Sequence, residues 1–398
     1  MILEFILEPI IRRGVPETDA ETLLRFRRAS ALSLVCRKWH RPAVAAFWYK
    51  YELISDSQIG MRGVIPPRAP GQHPLRRFDR AFLEGPALER CAPLVRHLVC
   101  SALGPYDSRV ADAIVALRHL CKEVRTVRLS GGTAFDNFFV KSVHAPSLVH
   151  LSDVSGSVSP VIGWPVEVFR CLDGMAVAAP SLTSLAVTNF GRAASWAAQP
   201  RCGSPLPLMR LRKLRSIAHA STVPPDAVAR LFASVDLAYL EDLSCAIGVD
   251  FQVFADILPH CKRLLRLEVG CAASSLFARS SGGDGGFLGA LSAPSALEHV
   301  GIRSRPTSVD YVDPSYKLNA AQVAQVLAAL PVNIKEAKLV LDFFPKDRAT
   351  LVALDDFIAQ RSGSALEAFE WAEVGLGGTS STLRWELCDG KLVRVSDS

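Results

Sequence analysis

A six-residue pattern recurs along this chain and constrains its fold more than any other feature. Val124-Arg-Thr-Val127-Arg-Leu129, Leu182-Thr-Ser-Leu185-Ala-Val187, Leu240-Glu-Asp-Leu243-Ser-Cys245 and Leu264-Leu-Arg-Leu267-Glu-Val269 all read apolar-x-x-apolar-x-apolar. Leu297-Glu-His-Val300-Gly-Ile302, Ile334-Lys-Glu-Ala337-Lys-Leu339 and Leu366-Glu-Ala-Phe369-Glu-Trp371 repeat it. Weaker copies are Val95-Arg-His-Leu98-Val-Cys100, Leu148-Val-His-Leu151 and Leu214-Arg-Ser-Ile217. The last two apolar positions alternate, so both point to one face of a short strand and the residue between them points to the other. One such unit cannot bury its apolar face, whereas stacked copies bury a continuous core.

Successive copies start 24 to 37 residues apart, a spacing that overlaps and exceeds the roughly 20 to 29 residues of a leucine-rich repeat. The lead-in recurs as well. Ala145-Pro-Ser-Leu148, Ala179-Pro-Ser-Leu182 and Ala293-Pro-Ser-Ala-Leu297 place proline just before the strand, where it ends a helix and starts extended chain. Between the motifs lie segments of helical period. Val110, Ile114, Leu117 and Leu120 share one helix face, and Pro225-Asp226 opens a helical stretch reaching Val235. Phe251 to Leu258, Ala320 to Leu330 and Leu351 to Ile358 behave likewise. The expected fold class is therefore α/β, a leucine-rich-repeat solenoid over residues 94–375 with parallel strands on the concave face and helices on the convex face. A doubly wound sheet would show longer, fully apolar strands and a glycine-rich first turn, and neither is present.

Before the repeats, residues 1–54 have helical period and dense positive charge, and 55–93 contain the stiff linker Pro66-Pro67-Arg68-Ala69-Pro70-Gly71. Ser280 to Gly286 reads as a flexible insertion, and Ser304 to Lys317 as another loop. After the repeats, Leu383–Leu387 and Lys391–Val395, joined by Asp389-Gly390, read as a hairpin that caps the open end within 376–398.

Composition narrows the function. Net charge is +6 over 398 residues, too dilute to indicate nucleic acid. The ten cysteines are scattered with no C-x-x-C pair, so reduced, mostly buried thiols are expected rather than disulfides or a zinc site. No apolar run is long enough for a membrane span, and Glu4 and Glu8 interrupt the apolar start. A cytoplasmic or nuclear location is expected, with neither membrane nor nucleic acid as a partner. No H-E-x-x-H, G-x-S-x-G, P-loop or G-x-G-x-x-G motif occurs. Gly282-Gly-Asp-Gly-Gly286 and Gly375-Leu-Gly377-Gly378 read as loops without a following helix to aim at a phosphate. Asp355 and Asp356 are adjacent on a helix and do not share a face. The chain is expected to have no enzymatic activity, no cofactor and no metal.

What remains for recognition is the strand face opposite the core. Between the last two apolar positions stand Arg128, Ser244, Glu268, Gly301, Lys338 and Glu370, with Ala186 in the Leu182 copy. Arg128, Glu268, Arg303, Lys338, Asp342 and Glu370 are the candidate client-binding residues. Their mixed sign fits a protein partner better than a polyanion.

At the other end, Leu32-Ser-Leu34-Val35-Cys36-Arg37-Lys38-Trp39, followed by Phe47-Trp48 and Tyr51-Glu-Leu53, resembles the second half of an F-box. Glu4-Phe5-Ile6-Leu7-Glu8-Pro9-Ile10-Ile11 is similar to that family's first helix, without the leucine-proline dipeptide that usually opens it. The layout as a whole resembles fungal F-box proteins with long, irregular leucine-rich repeats. That resemblance implies a small all-α box that docks onto a Skp-family adaptor and through it a cullin ubiquitin ligase, while the repeats hold a client protein. Carried over by position, Ile6, Leu7, Ile10, Leu34, Val35 and Trp39 form the box core or adaptor-facing surface, and Trp48 anchors its end. The alternative is that the same residues form a helical cap on a non-catalytic scaffold with no ubiquitin-ligase role.

Overall fold

The computed structural model describes residues 31, 40–41, 43–45, 50–54, 90, 92–101, 123–130, 147–155, 176–177, 179–188, 208–217, 231–246, 251–271, 276–277, 286–304, 318–341, 348–361, 364–373, 382–389 and 391–395. They form a mixed α/β structure whose strands are mostly parallel. The chain divides into two compact units, Met1–Val154 with Val177–Ser181 and Ser155–Ala176 with Leu182–Ser398.

In the first unit β1 (Lys50–Ile54), β2 (His97–Ser101), β3 (Thr126–Ser130) and β4 (His150–Ser155) pair in chain order, each parallel to the next. The apolar motif positions turn inward: Val95, Leu98, Val124, Val127, Leu148 and Leu151 are all buried. β1 lies inside the segment whose period reads as helical. Tyr51 pairs with Leu98 and Leu53 with Cys100, so residues 50–54 belong by hydrogen bonding to the sheet. Upstream of it, His40, Arg41 and Ala43–Ala45 are helical. The helix expected over Val110–Leu120, the linker at 66–71 and the adaptor-facing residues Ile6, Leu7, Ile10, Leu34, Val35, Trp39 and Trp48 lie outside the described residues.

In the second unit β5 (Ser184–Thr188), β6 (Lys213–Ile217), β7 (Asp242–Ala246), β8 (Arg266–Cys271), β9 (His299–Ser304), β10 (Glu336–Leu341) and β11 (Ala368–Glu373) again pair in chain order and in parallel. A repeated hydrogen bond sets the register. The carbonyl before one strand accepts two successive N–H groups from the start of the next: Arg212 O from Glu241 and Asp242, Glu241 O from Leu265 and Arg266, Leu265 O from Glu298 and His299. Lys335 O receives Glu367 and Ala368 in the same way. Each repeat thus satisfies its neighbour's first donors.

The register corrects one copy of the motif. Leu214 pairs with Leu243 and Ile217 with Ala246, and Leu211 is fully buried. That copy therefore reads Leu211-x-x-Leu214-x-Ser216, three residues earlier than the sequence alone suggests. Both frames start with leucine, and only pairing with the flanking strands separates them.

α1 (Phe251–Ile257), α2 (Gly286–Ala290), α3 (Ala320–Ala329) and α4 (Arg348–Arg361) fill the crossovers between β7 and β11, with α1 packed on α2 and α3 on α4. α2 is a correction: the glycine run ending at Gly286 does lead into a helix, although one of five residues. It seats Phe287, whose ring lies 4.5 Å from that of Phe251 and edge-on to Phe254 at 6.2 Å. α3 buries Val323, Val326 and Leu327 and starts with a reciprocal capping box between Asn319 and Gln322. Antiparallel strands β12 (Thr382–Cys388) and β13 (Lys391–Val395) follow β11. Asp389, at φ 50°, makes the turn in the left-handed region that Asp tolerates.

Cys245 and Cys261 are buried thiols outside any disulfide and Cys388 is exposed. Burial pushes the Cys261 thiol up to about 12, and its Sγ donates to Ile257 O at 3.3 Å. Brief alkylation of the native chain at pH 8, read by peptide mass spectrometry, is expected to modify Cys388 and spare Cys261 until denaturant is added, because only the thiolate reacts. Native-state modification of Cys261 at the rate of Cys388 would contradict this packing.

Candidate protein-interaction face

Along β7 to β11 the alternation separates two faces cleanly. Leu243, Cys245, Leu267, Val269, Val300, Ile302, Ala337, Leu339, Phe369 and Trp371 are all buried. The opposite face carries polar side chains aligned by register. One row runs Lys213, Asp242, Arg266, His299, Glu336 and Ala368; the next runs Arg215, Ser244, Glu268, Gly301, Lys338 and Glu370.

Three of the sequence-predicted client residues, Glu268, Lys338 and Glu370, therefore stand in one row. Arg303 follows Gly301 by two residues on the same strand, so it shares that face and is exposed. Arg128 belongs to the first unit, on β3 between Val99 and Ser152 by register. Asp342 lies outside the described residues.

Short contacts run within and between the two rows. Lys338 Nζ is 2.6 Å from Glu370 Oε1, and His299 Nδ1 is 2.9 Å from Glu336 Oε2. Glu268 takes Arg266 at 3.0 Å and accepts from Ser244 Oγ at 3.3 Å. Gly301 leaves room beside Glu268. A Cβ there would stand 3.1 Å from Glu268 Cγ, so a larger residue requires the Glu268 side chain to give by a few tenths of an ångström. At the strand entries, Lys335 pairs with Glu298 at 2.9 Å, which holds the Lys335 amine above its ordinary pKa chiefly through that hydrogen bond.

A second cluster was not anticipated from the sequence. Arg210, Arg212, Lys213 and Arg215 lead into and along β6, and Arg263 and Arg266 do the same for β8; all six are exposed. Arg212 forks onto Glu241, with Nε to Oε1 at 2.9 Å and Nη2 to Oε2 at 2.6 Å. That hydrogen bond, aided by the charges of Arg263 and Lys213, keeps the Glu241 carboxyl below the usual carboxylate range against a desolvation that opposes it. The Arg210 and Arg263 guanidiniums lie 5.3 and 5.4 Å from the centroid of the Tyr239 ring. The available signal was the run Arg210-Leu-Arg-Lys-Leu-Arg215, four basic residues in six. Its meaning depends on residues some fifty positions away.

Among the described residues no group of three His, Cys, Asp or Glu side chains converges as metal donors. No helix among them is long and apolar enough to cross a membrane. The arrangement offers ion pairs and hydrogen bonds to a macromolecular surface. No protein-family model matches the chain, and no curated protein matches it either.

Proposed function

We propose that this chain is the substrate-recognition subunit of a Skp–cullin–F-box type ubiquitin ligase, working in the cytoplasm or nucleus. Its repeats form a leucine-rich-repeat solenoid whose polar strand face holds a client protein. The chain itself performs no chemistry. The box binds the adaptor, the repeats bind the client, and the ligase benefits from their proximity. The observation that carries the client-binding half is the row Glu268, Gly301, Lys338 and Glu370, which aligns side chains of mixed charge across parallel strands. The adaptor-binding half rests on the run Leu34-Val35-Cys36-Arg37-Lys38-Trp39 and its resemblance to an F-box.

One observation favours the second reading, a scaffold with a helical cap. Lys50–Ile54 pairs directly with β2, so the end of the N-terminal segment is itself a strand of the sheet, as in a cap. Pull-down with a purified Skp-family adaptor decides between them, using the full chain, a chain lacking residues 1–49 (which keeps β1), and Leu34→Ala with Trp39→Ala. Binding by the full chain that is lost in both altered forms supports the ligase reading. No binding by a folded full chain leaves the scaffold.

A further inference from the structure

We infer that the amino edge of β6 to β8 is a further contact for the client, beside the row at Glu268, Lys338 and Glu370, and that the segment it takes is an acidic peptide. This rests on the client-binding reading above and is independent of the adaptor. Across the polar face, charges are unevenly matched. In β9 to β11 the ion pairs are closer to balance: Lys335 pairs with Glu298 and Lys338 with Glu370, His299 is hydrogen-bonded to Glu336, and Arg303 is exposed beside them. In β6 to β8 they are not. Arg212 uses Glu241 and Arg266 uses Glu268, which leaves Asp242, and Asp236 at the entry beside Met209, against the four bases Arg210, Lys213, Arg215 and Arg263.

Two of those arginines are already held in place. Arg210 and Arg263 both lie against the Tyr239 ring. Attraction to the ring restrains each guanidinium, whose N–H donors remain suited to fork onto a carboxylate. A partner therefore loses less side-chain entropy on binding here than at a free arginine. It also relieves the repulsion between two cations gathered on one ring. The interleaved acids Glu241, Asp242 and Glu268 argue for a peptide over nucleic acid. A peptide can leave neutral residues opposite them, whereas a phosphate backbone presents charge at every step. The patch also spans only three strands, roughly 10 Å across, too narrow for the several phosphate contacts on which nucleic-acid affinity depends.

The experiment is fluorescence anisotropy with the full chain and a labelled dodecapeptide of alternating Glu and Gly, beside its Gln analogue and a short DNA duplex. The Glu peptide is expected to bind at least about tenfold more tightly than the Gln peptide, and to weaken with salt. Arg210→Gln with Arg263→Gln is expected to remove about tenfold of that affinity, while Lys391→Gln, exposed on the terminal hairpin, changes it little. Lys213→Gln with Arg215→Gln, on the exposed side of β6, gives a second reading should the first pair perturb folding. Equal binding of Glu and Gln peptides, unchanged affinity in both double variants, or tighter binding of the duplex overturns the inference. Adaptor binding without peptide discrimination sinks this inference alone; peptide discrimination without adaptor binding sinks the ligase reading alone.

Discussion

Phe369→Ala is expected to lower stability by about 3–5 kcal/mol and to do so from one end of the chain. Phe369 is fully buried, and three aromatic rings surround it. Phe357 of α4 lies 5.3 Å away between centroids, Trp385 of β12 5.4 Å and Trp371 of β11 6.5 Å. The first joins a helix to the sheet and the second fastens the terminal hairpin, so truncation opens a cavity where three elements meet. Repeat arrays couple mainly to their nearest neighbours. Amides of β10 to β13 are therefore expected to lose hydrogen-exchange protection while β6 to β8 keep theirs. Uniform loss along the chain would show that the array unfolds as one cooperative unit, contrary to this expectation. A shift in the urea midpoint corresponding to less than about 1 kcal/mol would show the cavity collapsing, against the packing described.

Arg361→Ala is expected to cost about 2 kcal/mol, from the loss of charge-assisted hydrogen bonds that leave their acceptors partly buried. Arg361 ends α4, and its Nη2 donates to Leu330 O at 2.6 Å and Nη1 to Pro331 O at 3.0 Å. Those carbonyls belong to the chain just past α3, beyond the helix's own donors. The guanidinium also lies 5.3 Å from the Phe357 ring centroid. Desolvation pulls its pKa below the ordinary guanidinium value. Arg361→Lys is expected to restore less than half of the loss, since an ammonium cannot fork onto both carbonyls from a stacked position. Urea unfolding of the three proteins measures this. A fully stable Ala variant would mean that water serves the two carbonyls equally well.

The polar row at Glu268, Lys338 and Glu370 was legible because strand alternation is local. Once Leu267 and Val269 are inside, Glu268 must be outside. The same reasoning places Leu243, Val300, Ile302 and Trp371 in the core, where they are found. It fails where two frames fit equally well. Leu211 and Leu214 both suit the start of the motif, and the choice comes from the Thr183 carbonyl, which accepts from Arg212 and Lys213 and so aligns β6 with its neighbour. Lys50–Ile54 was misjudged for a related reason. Its helical surroundings set the local expectation, while β2 offered an unpaired edge that a five-residue segment could complete.

By itself the sequence determined the alternation of core and polar positions and the helical crossovers at Phe251, Ala320 and Leu351, since each depends on residues within one turn or one strand. Tertiary structure alone decided which charges meet. Tyr239 gathers Arg210 and Arg263 from fifty-three positions apart, and Arg212 finds Glu241 across twenty-nine. Those distances close only when neighbouring repeats stack in register. The energy that closes them comes from the buried leucines beneath, not from the charges themselves.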